Sequence, residues 1–214
     1  MKTLIIEAAG PRCWIQLSTP EHTAFYTSEP DARHDQRLMP AVTDLLRAQG
    51  MAIGDVDCLA VGVGPGSFTG IRVAVGTAQG IGLAGRTQLK ALDSMALIAM
   101  QAGPGLWHLA LDARLGEAYR ATYHVDDELR VVSAPELVKV SDLDRPTQGA
   151  LLGDGWALSQ LDGAAPLPEG MACKHWTDYA DAQPVVAPEA LLPVYLRDTV
   201  NWKKRVDQPS PLRG

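Results

Sequence analysis

The sequence predicts an α/β protein built on a duplicated plan, and three observations point to it. Short apolar runs of strand type alternate with segments of helical spacing in the first half of the chain. A Gly103-Pro104-Gly105 break follows. A second set of strand-like runs then begins at Trp107. The break divides the chain into expected lobes at 1–102 and 103–214, with the last segment expected to pack back on the first lobe.

The elements follow in order. Thr3–Ile6, Cys13–Leu17 and Thr23–Tyr26 read as strands joined by short turns, so the chain opens as a meander. Gln36–Arg47 carries Leu38, Val42, Leu45 and Leu46 at helical spacing, and Gly50 is its stop. Pro40 inside that pattern predicts a helix that begins near it or kinks there. Leu89–Leu92 reads as a strand and Ser94–Met100 as a helix capped by Ser94. Beyond the break, Trp107–Leu111 and Glu117–Tyr123 pair across Ala113-Arg-Leu-Gly116, and Leu129–Val132 follows. From Pro135 onward the pattern weakens, and no element is assigned.

The most informative passage is Gly64-Pro-Gly-Ser-Phe-Thr-Gly-Ile-Arg72. It links the apolar run Cys58–Val63 to a stretch, Ile71–Ala84, whose single charged residue is Arg72. This reads as strand, glycine-rich turn and helix, with Ser67 or Thr69 as the cap. Such a turn can bind an anion, because unpaired N–H groups and the helix dipole point the same way. No Lys follows the glycines, so it is not a Walker loop. A helix apolar on every side is expected to be buried all round. At about fourteen residues it is too short to span a bilayer. Its glycines cost about 1 kcal/mol each relative to alanine, so close packing must compensate. A core helix on a sheet and a helix that docks a partner both satisfy this, and the two can both hold.

Composition narrows the classes. With 214 residues the chain can bury a proper core. Its 19 basic and 25 acidic residues leave a net charge of −6, which argues against a freestanding nucleic-acid binder. Cys13, Cys58 and Cys173 lie far apart with no C-x-x-C, so a reducing cytoplasm is expected. The first residues show no signal peptide, and no segment qualifies as membrane-spanning.

Four passages together carry a resemblance. They are Gly64–Arg72; Thr77-Ala-Gln-Gly80; Leu111-Asp-Ala-Arg114 with Glu117; and Pro193-Val-Tyr-Leu-Arg197 with Trp202-Lys203-Lys204. In order and spacing the chain resembles the TsaB (YeaZ) family, which takes part in making threonylcarbamoyladenosine on tRNA. The resemblance implies an actin/Hsp70/sugar-kinase-like fold of two related α/β lobes and a cytoplasmic location. It also implies partnership with the catalytic paralogue TsaD and the ATPase TsaE, with tRNA met indirectly through the complex and no membrane contact.

The resemblance does not by itself imply catalysis. In that fold class a carboxylate ending the first strand, with a hydroxyl beside it, usually holds metal and phosphate. Here the stretch is Glu7-Ala8-Ala9-Gly10, where relatives more commonly read Asp-Thr. Glu7, Gly66, Ser67, Thr69 and Asp112 are the candidate phosphate-binding residues. For Glu7 the competing reading is a strand-end carboxylate bonded to local N–H groups; for Asp112 it is a turn held by Arg114. The catalytic paralogues carry a His-x-x-x-His metal pair. The corresponding His34-Asp-Gln-Arg-Leu38 lacks the second ligand, and one imidazole does not define a transition-metal site.

Two rival classes remain. A glycoprotease-like peptidase would use Ser67, yet Pro65 and Thr69 occupy the positions where a nucleophile elbow needs glycine. A nucleotide-binding ATPase would need the phosphate loops that Ala8 weakens. The sequence therefore favours a non-catalytic scaffold with no catalytic residue, no metal and no cofactor of its own. Its expected docking surface consists of His34, Leu38, Gly70, Val73, Thr77, Gly80 and Ala84. The same surface would form a homodimer when the partner is absent.

Overall fold

A computed structural model describes residues 1–30 and 33–197, and the side chain of His34 also lies outside the described set. Trp202 and the Lys203-Lys204-Arg205 run fall outside it as well. The chain forms a mixed α/β fold with two sheets. Strands β1 (Thr3–Glu7), β2 (Trp14–Ser18) and β3 (Thr23–Thr27) make the antiparallel meander that the alternating runs predict. Strands β4 (Cys58–Gly62) and β5 (Gln88–Leu92) add to it in parallel.

Helix α1 (His34–Ala48) packs with α2 (Phe68–Ala84) over one face of this first sheet. Pro40 neither starts nor ends α1; the helix begins six residues earlier, with Pro40 inside it. Along β1, Leu4 and Ile6 enter the core beneath α1 and α2, while Ile5 enters the core on the opposite face. That is the period-two alternation of a strand covered on both sides.

The second core joins the first sheet to the second through α3 (Ser94–Gln101), every residue of which is buried except Gln101. The cap expected at Ser94 is Asp93, whose carboxylate accepts from the amides of Met95 and Ala96. Ser94 Oγ instead accepts from Gly64 N at 3.0 Å. Strands β6 (Gly105–Arg114), β7 (Glu117–Val125) and β8 (Leu129–Lys139) form an antiparallel hairpin series. β8 continues through Pro135, which an edge strand tolerates.

The stretch without an assigned pattern supplies the closing pieces. β9 (Ala150–Leu152) pairs with β6, and α4 (Gly155–Leu158) seats Trp156 behind the second sheet. Helix α5 (Lys174–Ala182) buries Trp176 between the sheets. β10 (Val185–Val186) then pairs with β5 of the first sheet, and Leu191 is fully buried in the first core.

Candidate functional site

Helix α2 is not buried all round, and this corrects the expectation drawn from its composition. Ile71, Ala74, Val75 and Ala78 face the core, while Arg72, Gly76, Gly80, Leu83 and Ala84 face outward. Those outward residues fall on one side because their spacing follows the helical repeat. A Cβ built at Gly76 or Gly80 would meet nothing within 4 Å, so these glycines leave a bare surface over the helix backbone. Phe68 at one end is 52% exposed and Leu83 at the other is 74% exposed.

The residues expected to dock a partner therefore divide. Gly80 and Ala84 are exposed; Val73 and Thr77 are half-buried beside them. Gly70 is buried in the first turn of α2. Leu38 is 1% exposed and packs in the first core, so its side chain belongs to the chain's own interior and not to a docking surface. His34 is the first residue of α1, and its side chain lies outside the described set.

A strap runs alongside α2. Gln79 Nε2 donates to the carbonyls of Pro188 and Leu191. Val194 N donates to Val63 O at 2.8 Å, tying the strap to the end of β4. Arg72 Nε donates to the Tyr195 hydroxyl, and the Arg72 guanidinium carbon sits 3.6 Å from the Phe68 ring centroid. Arg197 then reaches the β6–β7 turn, donating to the Glu117 carboxylate and to the carbonyl of Ala113. Three of the four passages, Gly64–Arg72, Leu111–Arg114 with Glu117, and Pro193–Arg197, are thus joined in space. Sequence reasoning missed the roles of Phe68, Arg72 and Tyr195; the signal was there in the Phe and Arg at i and i+4 of one helix.

The candidate phosphate residues come together only in part. The turn after β1 and the turn before α2 touch: Ser67 N donates to Ala9 O at 2.7 Å. Gly66 has φ 153°, and a Cβ there would fall 2.6 Å from both the Ala9 Cβ and the Ala9 carbonyl oxygen. The turns therefore close on each other and not around an anion. Ser67 caps α2, its hydroxyl accepting from Gly70 N at 3.3 Å. Thr69 is exposed in the first turn. Asp112 lies in the second sheet, where it accepts from Arg114 N at 2.7 Å and Arg114 Nη1 at 2.8 Å.

Glu7 is 1% exposed, and its Oε1 accepts from Ala9 N at 2.5 Å. Burial pushes its carboxyl up to about 7, and the neighbouring Asp93 charge adds to the rise; the Ala9 amide and the Ser94 hydroxyl act against it. Gly62 leaves the space it needs, because a Cβ there would fall 1.8 Å from Glu7 Oε2. A carboxyl enclosed in this way does not fit the phosphate-and-metal role that the fold class assigns to the first strand end. Among the described residues, no three His, Cys, Asp or Glu side chains group as a metal site.

Residues 28–175 match the family described as TsaD, tRNA N6-adenosine threonylcarbamoyltransferase. The chain is 31% identical to the tRNA threonylcarbamoyladenosine biosynthesis protein TsaB of Escherichia coli strain K12, over 95% of this chain and 98% of the relative. It is 30% identical to the TsaB protein of Haemophilus influenzae, over 80% of this chain and 83% of that one. Among solved structures it superposes on YeaZ from Pseudomonas aeruginosa with a TM-score of 0.78 and 27% identity, covering 91% of this chain and 99% of that chain. The two-sheet architecture is thus of the actin/Hsp70/sugar-kinase-like kind, and the chain belongs to the TsaB (YeaZ) family.

Proposed function

We propose that this chain is a non-catalytic scaffold for a TsaD paralogue in threonylcarbamoyl transfer to the tRNA adenosine next to the anticodon. The observation that carries the reading is the bare Gly76–Gly80 face of α2. An exposed helix face without side chains costs stability in the free chain and offers it nothing in return. It does allow another helix to approach closely, and burial of Phe68 and Leu83 at its two ends would supply affinity. The docking surface is accordingly Val73, Thr77, Gly80 and Ala84, with the start of α1 beside it. Kinship with the TsaB proteins of tRNA threonylcarbamoyladenosine biosynthesis supports the pathway.

TsaE would join through the assembled complex, and tRNA would be met indirectly. The reaction is cytoplasmic, and no helix among the described residues is long and apolar enough to cross a membrane. Without its partner the chain would cover the same face with a second copy, as a C2 interface is self-complementary. The two expected lobes, 1–102 and 103–214, are proposed to move as one unit, since the strap from 188 to 197 holds contacts on both sheets.

The test is co-purification with the TsaD paralogue, followed by threonylcarbamoyl transfer assayed with and without this chain. Capture of the paralogue and transfer that depends on the chain are expected. Transfer at an equal rate in its absence would overturn the scaffold role.

A further inference from the structure

Glu7 is the one described side chain whose carboxyl is wholly enclosed with an oxygen left unpaired. Its Oε1 takes the Ala9 amide, while Oε2 has no hydrogen-bond partner. No cation faces it. From α3 and its cap come the Ser94 hydroxyl and the Asp93 carboxylate; from just before β2 comes the Cys13 thiol, itself pushed up to about 12 by burial and then by the Glu7 charge. From β4 comes only Gly62, whose missing Cβ is filled by Oε2 itself, so no water-sized space separates them. A neutral carboxyl can rest there. An ionised one has a buried charge and a second carboxylate nearby, with only local amides and the Ser94 hydroxyl to set against them.

We infer that Glu7 is a proton-operated latch, holding the 8–10 turn closed on the 64–67 turn while neutral and loosening that closure when it ionises. The geometry sets which part gives way. β1 and β4 are central in the first sheet, with neighbours on both sides. The 64–67 turn is the outer cover, rising from buried Pro65 to exposed Ser67. It is fastened to the Glu7 side by Ser67 N to Ala9 O and by the contact of Gly66 with Ala9. Ser67 is also the cap of α2, so opening this turn frays the helix end that bears Phe68 and Arg72. The effect on partner docking rests on the proposed role of α2; the latch itself does not.

Hydrogen exchange on the free chain tests the latch without any partner. With an enclosed carboxyl near 7 and an ordinary one near 4.5, opening becomes easier as pH rises between those values and then levels off. Protection of the Ala9, Ser67 and Gly70 amides, corrected for intrinsic exchange, should fall about tenfold per pH unit from pH 5 to 7 and flatten above. In Glu7→Gln the same amides should show no such slope. An equal slope in Glu7→Gln would assign the titration to Asp93 and overturn the latch. Turn amides no less protected than the β7 amides of the parent would open only with the whole chain, and that would overturn it too. If Glu7→Gln does not fold, the Glu7 carboxyl resonance of the parent is titrated directly. A midpoint near 7, where the loss of turn protection levels off, supports the latch; a midpoint near 4.5 rejects it.

Discussion

Arg72 Nε donates a 2.6 Å hydrogen bond to the hydroxyl of Tyr195, a residue 123 positions further along the chain. The same guanidinium lies over Phe68, and the Phe68 and Tyr195 rings sit 5.8 Å apart. An arginine laid over one ring and hydrogen-bonded to the hydroxyl of another is fixed in direction as well as in place. The single charge of α2 therefore clasps the strap to the helix beside the bare glycine face.

Separating the two halves of this clasp gives a first prediction. Tyr195→Phe keeps the ring and loses the hydrogen bond, so it should lower stability by about 0.5–1 kcal/mol. Arg72→Ala loses the bond and the ring contact together and should cost more. Urea midpoints measure both, with exchange at Val194 as the local readout. Indistinguishable midpoints for parent and both variants would show that the strap does not depend on the clasp.

Two glycines give opposite expectations. At Gly80 a larger side chain enters open space. Gly80→Leu should melt within a few degrees of the parent and lose binding to the TsaD paralogue, because the added chain holds the partner's helix away. At Gly62 even one carbon would fall 1.8 Å from Glu7 Oε2 and 2.7 Å from Ser94 Oγ. Gly62→Ala should destabilise by roughly 1–3 kcal/mol through overpacking. Thermal unfolding and a pull-down decide the pair. Normal binding by Gly80→Leu would remove α2 from the interface.

Ser67 gives a third. Its hydroxyl caps α2 and its amide binds Ala9 O. Ser67→Ala should cost about 1 kcal/mol as a lost cap and leave transfer to tRNA intact. Cleavage of a protein substrate by the parent, lost in Ser67→Ala, would instead establish a nucleophile.

Much of the first sheet was legible because its signals are local. The alternating runs of β1 to β3 and the strand–turn–helix at 58–84 need no distant partner to be recognised. Leu38 shows the limit: a leucine at helical spacing reads the same whether it faces a partner or its own core. The glycines of α2 misled in the other direction, since composition cannot tell a helix buried all round from one left bare on a single face. After Pro135, the elements are short and owe their form to distant contacts. β10 is two residues that exist by pairing with β5, and Lys90 is buried because its ammonium donates to the carbonyls of Ala180 and Asp181. No local pattern announces either. Glu7 was readable as a strand-end carboxylate bonded to local amides, but not as one pushed up by burial, since that depends on Gly62 and α3 closing around it.

The last prediction separates a structural carboxyl from a chemical one. Glu7 is raised from 4.5 to about 7 in the folded chain, so the folded state holds a proton that the unfolded state releases between those values. Stability should therefore fall as pH rises from about 4.5 to about 7 and change little beyond, by roughly 3 kcal/mol from this group. Glu7→Gln should remove that slope and, at pH 8, be at least as stable as the parent. In the reconstituted transfer reaction at pH 8, with the partner proteins held constant, it should also support a normal yield of modified tRNA, while Gly80→Leu does not. Phosphoryl transfer works by positioning and charge neutralisation around a metal-bound phosphate, and a carboxyl enclosed beneath two turns that close on each other contributes to neither. If Glu7→Gln abolishes transfer while the complex still assembles by gel filtration, this lobe takes part in the chemistry and the scaffold reading fails.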